Sequence, residues 1–235
     1  MNFQPETRYA LVTQVFCRQR LLNRAALSYV GHVSSDAVIA VTPAAGAVQR
    51  NRRQEETFRK VLAAGVEMLR ESSYSDLTVR AVAKRAQVAP ATAYTYFSSK
   101  NHLIAEVYLD LIKQVPFFTD VNDSVVTRVD DVLRALALVV ADEPEVAAAC
   151  TTALMSGSDP EVKAVRDRIG GEIHRRVTSA IGPQADHRAV SALEMAFFGA
   201  LVQAGSGAFT YHQIANRLTY MVGLVLGEAP SFGER

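Results

Sequence analysis

The chain has 235 residues, 49% of them hydrophobic and 21% charged, a soluble globular composition that excludes a wholly disordered polymer. Its 25 Lys+Arg and 24 Asp+Glu leave a net charge of +1, which taken whole argues against a nucleic-acid partner. Resolved by segment, the average misleads. Residues 1–49 carry +2, residues 50–100 carry ten Lys+Arg against five acids, and residues 101–235 carry eleven against seventeen. A basic module precedes an acidic body, and such asymmetry hints at a polyanion partner.

Two cysteines, Cys17 and Cys150, are too few for a disulfide framework and form no CxxC pair, so neither a metal nor a cofactor is expected. No run of ~18 apolar residues predicts a membrane span, and Met1–Arg8 does not open a signal peptide. A cytoplasmic protein with no membrane partner is expected.

In chain order, residues 1–49 read as a mostly disordered arm, with at most a marginal helix over Tyr9–Val30 that has nothing to pack on. The alternatives are an upstream translation start, or an arm that places Arg18, Arg20 and Arg24 in a DNA groove. From Arg50, Phe58, Val61, Leu62, Val66 and Leu69 recur at helical steps, predicting an amphipathic helix to about Glu71. Thr78 can cap a short helix whose Val79, Val82 and Ala86 face inward. After Gln87-Val88-Ala89, Pro90 is placed for the first turn of a third helix ending at Phe97, and Ser99 caps a fourth that stops before Pro116. Further helices are predicted near 123–141, 144–156, 160–181, 185–205 and 210–227, with Thr210 and Gln213 at capping-box spacing. No segment alternates with period two. The fold class is all-α, about nine helices. The domains are a helix-turn-helix unit at 50–100, a helical ligand-binding and dimerisation domain at 101–228 and a flexible tail at 229–235.

Two short helices joined by a three-residue break, inside the basic module, fit a helix-turn-helix. The recognition helix must be anchored by apolar side chains while its other face stays slim and polar for the major groove. On Pro90–Phe97, Ala93 and Phe97 lie one turn apart as anchors. Ala91, Thr92 and Thr95 point the opposite way, and Tyr94 and Tyr96 flank them. No charged residue lies between Arg85 and Lys100, so guanidinium-to-guanine contacts cannot come from this helix.

The run Leu77-Thr78-Val79-Arg80-Ala81-Val82-Ala83-Lys84-Arg85-Ala86, with Val88, Pro90 to Phe97 and Ser99-Lys100, resembles the signature of TetR-family transcriptional regulators. The resemblance covers about fifty residues, 50–105. It implies a homodimer that binds a pseudo-palindromic double-stranded operator, most often as a repressor, and a C-terminal helical domain for a small effector. It further implies that Thr78 caps beside a phosphate, that Thr92, Thr95 and Ala91 face the duplex, and that Tyr94, Tyr96 and Lys100 reach phosphates. Arg52 and Arg53 could add backbone contacts. Two positions depart from the family's habit. Gln87 stands where a turn glycine is common, costing roughly 1 kcal/mol if left-handed, and Ala89 replaces a Ser/Thr cap at a similar cost of about 1 kcal/mol. The blander readings are that Tyr94 and Tyr96 are packing residues and that Arg52, Arg53, Arg59 and Lys60 form a solvated face.

In the acidic body, small residues at 147–153 opposite bulky ones could leave an apolar cavity or fill a core. The expected pocket comprises Tyr108, Phe117, Phe118, Thr152, Met155, His174, Phe198 and Gln203, for a small, largely apolar effector. His174 reads more readily as a surface or hydrogen-bonded histidine. The last two helices carry broad apolar faces, and Leu193, Phe197, Leu201, Leu218, Met221, Val222 and Val225 are the expected dimer seam. The rival readings are an all-α enzyme with an active site in the C-terminal cavity and a helical interaction scaffold. HExxH, GxSxG, Walker A and GxGxxG are all missing from the sequence.

Overall fold

A computed structural model describes residues 52–117, 120, 122–157, 159–183 and 185–227. The N-terminal arm at 1–49, Phe118 and the tail at 229–235 lie outside the described residues. Among the described residues are nine α-helices and no strand. They are α1 (Arg52–Glu71), α2 (Val79–Arg85), α3 (Pro90–Tyr96), α4 (Lys100–Gln114), α5 (Val125–Ala137), α6 (Pro144–Leu154), α7 (Pro160–Ile181), α8 (His187–Gly205) and α9 (Tyr211–Leu226).

Local chemistry sets most boundaries. Proline occupies the first turn of α3, α6 and α7, where its missing N–H costs no intrahelical bond. Side-chain caps start α2, α4, α5, α8 and α9: the hydroxyl of Ser124, for one, accepts from the Thr127 N–H at 3.1 Å, and Asp186 accepts from the Arg188 N–H at 2.8 Å. Thr210 and Gln213 form the full reciprocal capping box, at 3.1 and 2.9 Å. Helix α5 stops at Ala137, short of the expected 141, and tightens into a 3-10 turn over Leu138–Val140. Pro144 is the reason the chain cannot run on into α6, since it holds Glu143 out of the helical region at φ −130°, ψ 73°.

The head, α1 to α3, closes on a core of Phe58, Val61, Leu62, Leu69, Val82 and Phe97. Helix α4 is the structural axis. Every residue from His102 to Leu109 is buried, because α1 covers one side and α6 and α7 cover others. In the body α7 also packs on α5 and α8, and α9 packs on α5 and α8.

Candidate nucleic-acid interface and internal cavity

Helix α3 is held by its inward side. Ala93 and Phe97 are fully buried, and the Phe97 ring stacks on Phe58 of α1 with centroids 5.1 Å apart. Tyr96 adds an edge-on contact to the same Phe58 ring at 6.1 Å and is half-buried. The opposite side carries Ala91, Thr92 and Thr95, all exposed, and Tyr94 is 51% exposed. The Thr95 hydroxyl donates to the Thr92 carbonyl at 2.7 Å. What faces outward is therefore methyl groups, hydroxyls and one phenol, on a helix without charge.

The turn between α2 and α3 is a Schellman ending. The Val88 N–H donates to the Ala83 carbonyl at 2.9 Å and the Gln87 N–H to the Lys84 carbonyl at 3.1 Å. Gln87 sits at φ +57°, and it is the sole non-glycine residue in that region among the described residues. The left-handed position foreseen there is real, and a glutamine occupies it. Ala89 starts α3 with no side-chain cap, whereas Thr78 caps α2 by accepting from the Ala81 N–H at 3.1 Å.

The basic residues of the head divide by partner. Arg59 pairs with Glu55 and Lys60 with Glu56, each at 2.9 Å one turn apart on α1. Arg85 is forked onto Glu71 of α1, tying α2 down. Lys100 does not point freely outward: its ammonium donates to the Tyr74 carbonyl at 3.0 Å and lies 4.1 Å from that ring's centroid. Arg53, Arg80 and Lys84 are exposed and have no ion pair among the described residues. Arg52, also exposed, contributes with Lys60 to holding Glu56 ionised. Arg80 and Lys84 were quoted in the motif but not singled out. Their position on the outer side of α2, opposite Val79, Val82 and Ala83, was readable from the helical period.

Among the described residues, two polar links tie the head and the residue that follows it to the body. Arg70 forks onto Glu143, just before α6, at 2.6 and 2.9 Å. Ser99 caps α4 by accepting from the His102 N–H at 3.0 Å, and its hydroxyl also donates to Asp159 at 2.7 Å. Asp159 in turn caps α7, accepting from the Glu161 N–H at 3.0 Å. The Ser99 hydrogen bond, with the backbone N–H groups behind it, holds the Asp159 carboxyl below the usual range. Within α4, burial works to raise the Glu106 carboxyl, but His102 and the Arg168 guanidinium, 2.5 Å away, outweigh it and lower it.

The body contains a cavity of about 650 Å³. Its wall is built by α4 (Tyr108), α6 (Cys150, Thr151, Leu154), α7 (Arg166, Asp167, Ile169, Gly170), α8 (Phe198, Leu201, Val202, Gly205) and α9 (Tyr211), with Met155 after α6 and Ser206 after α8. Burial pushes the Tyr108 hydroxyl upward, and pushes the Cys150 thiol up to about 12, so both stay protonated at neutral pH. Gly205 lets α8 approach α6, since a Cβ there would meet Thr151 Cγ2 at 2.3 Å. Of the residues singled out for a pocket, Tyr108, Met155 and Phe198 line this cavity. Thr152 does not: it is exposed and bonds back to the Ala148 carbonyl at 2.8 Å, while its neighbour Thr151 faces inward. Phe117 lies under the guanidinium of Arg176, 4.3 Å from its centroid, and so covers a buried cation instead. His174 is a surface group paired with Glu194 at 2.8 Å, and Gln203 is exposed on α8.

The dimer seam needs a larger correction. Leu193, Phe197, Leu218 and Val222 are buried inside the protomer and cannot face a partner. Leu201 lines the cavity. The apolar residues that α8 and α9 do expose are Met195 (77%), Phe198, Val202, Tyr220, Met221 and Leu224 (67%), with Val225 half-buried. Both helices are apolar on two sides: most of the residues read as the seam pack inward, whereas Met221 is exposed and Val225 half-buried.

Among the described residues no helix is long and apolar enough to cross a membrane, and no cluster of three potential metal ligands occurs. A basic, anchored helix-turn-helix on an all-helical body defines a DNA-binding transcriptional regulator. The head matches the family described as "Bacterial regulatory proteins, tetR family" over residues 61–107. HTH-type transcriptional regulators of Mycobacterium bovis and Mycobacterium tuberculosis are 69% identical over 211 residues, covering 86% of this chain and 99% of theirs. The HTH-type transcriptional repressor KstR of Rhodococcus jostii is 26% identical over 181 residues, covering 74% of this chain and 85% of its own. In fold, a TetR transcriptional regulator from Rhodococcus sp. RHA1 superposes with a TM-score of 0.64 at 22% identity, over 75% of this chain and 98% of that one. The chain belongs to the TetR family of HTH-type transcriptional regulators.

Proposed function

We propose that the protein is a ligand-responsive homodimeric repressor, which holds a pseudo-palindromic operator until a small, largely apolar effector occupies the body cavity. The observation that carries this reading is on α8, where Phe198 and Val202 both line the cavity and belong to the exposed apolar stripe. A second copy seated on that stripe would bury Met195, Phe198, Val202, Met221 and Leu224 by two-fold symmetry. Repression is favoured by the printed name of the Rhodococcus jostii relative. It is also the ordinary expectation for the family.

Within the head, Ala91, Thr92 and Thr95 are assigned to the bases. Thr78, Tyr94, Tyr96, Arg52 and Arg53 are assigned to the backbone, joined by Arg80 and Lys84. Lys100 is assigned to organising the start of α4 through Tyr74 rather than to a direct phosphate contact. Two α3 helices must sit ~34–36 Å apart to enter successive major grooves. An effector acts by binding better to a dimer whose spacing no longer fits.

The test begins with selection of a duplex from a randomised pool on the native protein. Thr92→Ala with Tyr94→Phe should abolish retention of the selected duplex and leave helicity and mass in solution unchanged. Met195→Glu with Leu224→Glu should halve the solution mass by light scattering and abolish binding to the two-half-site duplex. Retention by the first pair, or an unchanged mass for the second, would refute the corresponding assignment.

A further inference from the structure

The cavity lining says which chemical class it takes, and this inference rests on the cavity being the effector site. At the roughly 30 Å³ that one water-sized group occupies, 650 Å³ holds about twenty such groups, the size of a long acyl chain or a few fused rings. Most of the wall is hydrocarbon: Leu154, Met155, Ile169, Phe198, Leu201 and Val202. Against this wall two polar groups stand out, each with unspent capacity.

The first is Arg166. One guanidinium nitrogen donates to the carbonyls of Leu154 and Ser156, at 2.7 and 3.2 Å, which fixes the side chain beside the end of α6. It has no carboxylate partner among the described residues. The neighbouring acid, Asp167, also lines the cavity, and its carboxylate is paired with Lys163 at 2.7 Å. A guanidinium held by two neutral carbonyls keeps its full charge and its remaining N–H donors for an anion. The second is Tyr108, which is 4% exposed and whose hydroxyl has no hydrogen-bond partner among the described residues. Tyr211, by contrast, has its hydroxyl engaged with Thr151. A hydroxyl on the cavity wall can donate to any occupant that brings an oxygen to it.

We infer that the cavity binds an oxygenated lipid acid: an apolar body of about twenty heavy atoms, a carboxylate on Arg166, and an oxygen on the body within reach of Tyr108. A neutral hydrocarbon would leave both groups unmatched. A doubly charged metabolite would face a wall that offers it one cation and much carbon.

Isothermal titration of the full chain with hexadecanoate, hexadecan-1-ol and 10-hydroxyhexadecanoate tests this. Hexadecanoate should bind at least tenfold more tightly than hexadecan-1-ol, and the hydroxy acid more tightly again. Arg166→Gln should remove the advantage of the acid over the alcohol, and Arg166→Lys should restore part of it. Tyr108→Phe should remove the hydroxy acid's advantage and leave hexadecanoate unchanged. Equal binding of acid and alcohol, no binding of either acid, or an advantage that survives Arg166→Gln overturns the assignment. A gel shift on the selected duplex separates this from the parent reading. Acids that bind without releasing DNA would uphold the ligand class and sink the effector role.

Discussion

Replacing Gly205 by alanine tests how closely α8 and α6 are fitted. The new Cβ would lie 2.3 Å from Thr151 Cγ2, 2.7 Å from its hydroxyl and 3.0 Å from its Cβ. Carbon atoms in contact prefer about 3.5–4.0 Å, so the helices must part by more than an ångström or Thr151 must leave its rotamer. Thr151 is branched at Cβ, and its hydroxyl also engages Tyr211 at the cavity wall, so neither escape is free. Overpacking of this kind costs about 1–3 kcal/mol. For a body of this size that is a fall in melting temperature of roughly 2–12 °C. Thermal unfolding followed by far-UV circular dichroism measures it. Thr151→Ala alone should cost about 1 kcal/mol through the lost Tyr211 bond. In the double variant only the 3.0 Å contact survives, so it should be more stable than the sum of the two singles predicts, by about 1 kcal/mol or more. A Gly205→Ala protein as stable as the native one, or strict additivity in the cycle, would refute the close-approach argument.

Two further outcomes follow from single residues. Gln87→Gly should raise the melting temperature by about 2–4 °C, because glycine adopts the left-handed turn without the roughly 1 kcal/mol that a side chain costs there. An unchanged or lower value would mean that the glutamine side chain compensates. Asp130→Asn should stabilise at neutral pH. Burial raises the Asp130 carboxyl, against the lowering by the Thr219 hydroxyl, which donates to it at 2.7 Å, and by Arg134. A carboxyl raised in the folded state costs stability above its unfolded value of about 3.9, and that cost fades as both states protonate at lower pH. The gain from Asp130→Asn should therefore appear in melting curves at pH 7 and vanish near pH 3. An equal gain at both values would show that the charge is not the cause.

Where one periodicity has one possible partner, the sequence was legible. Phe58, Val61, Leu62, Ala93 and Phe97 point inward as their spacing requires, because the short helices of the head have a single core to serve. Thr78, Ser99 and the Thr210–Gln213 box were legible because capping depends only on neighbours in the chain. The body defeats the same reasoning. Helices α8 and α9 are apolar on two sides, and nothing local says which side meets α5 and which meets solvent, so Phe197, read as part of the seam, is packed inside, and Phe198, read as part of the pocket wall, is also exposed. Thr151 and Thr152 were exchanged, a phase difference of ~100° on α6. Lys100 shows another limit: its place at the start of α4 was legible, but its contact with Tyr74, twenty-six residues earlier, was not.

The shared carboxylate of Asp159 gives α7 a mechanical character. One group caps α7 and receives the cap of α4, immediately after α3, so the near end of α7 is pinned to the residue that ends the recognition unit. At 22 residues α7 is a rod of about 33 Å. Arg166 and Ile169 stand on it roughly 10–15 Å from that pin. A cavity occupant that displaces them by about 1 Å turns the rod through roughly 4–6° about its pinned end, at the 1.5 Å rise per residue that fixes the arm. At the pinned end the contact with the residue that follows the head is a 2.7 Å hydrogen bond, beside the Arg70–Glu143 fork and the packing of α7 along α4. Ser99 thus sits where the start of α7 and the start of α4 share one carboxylate, directly after α3.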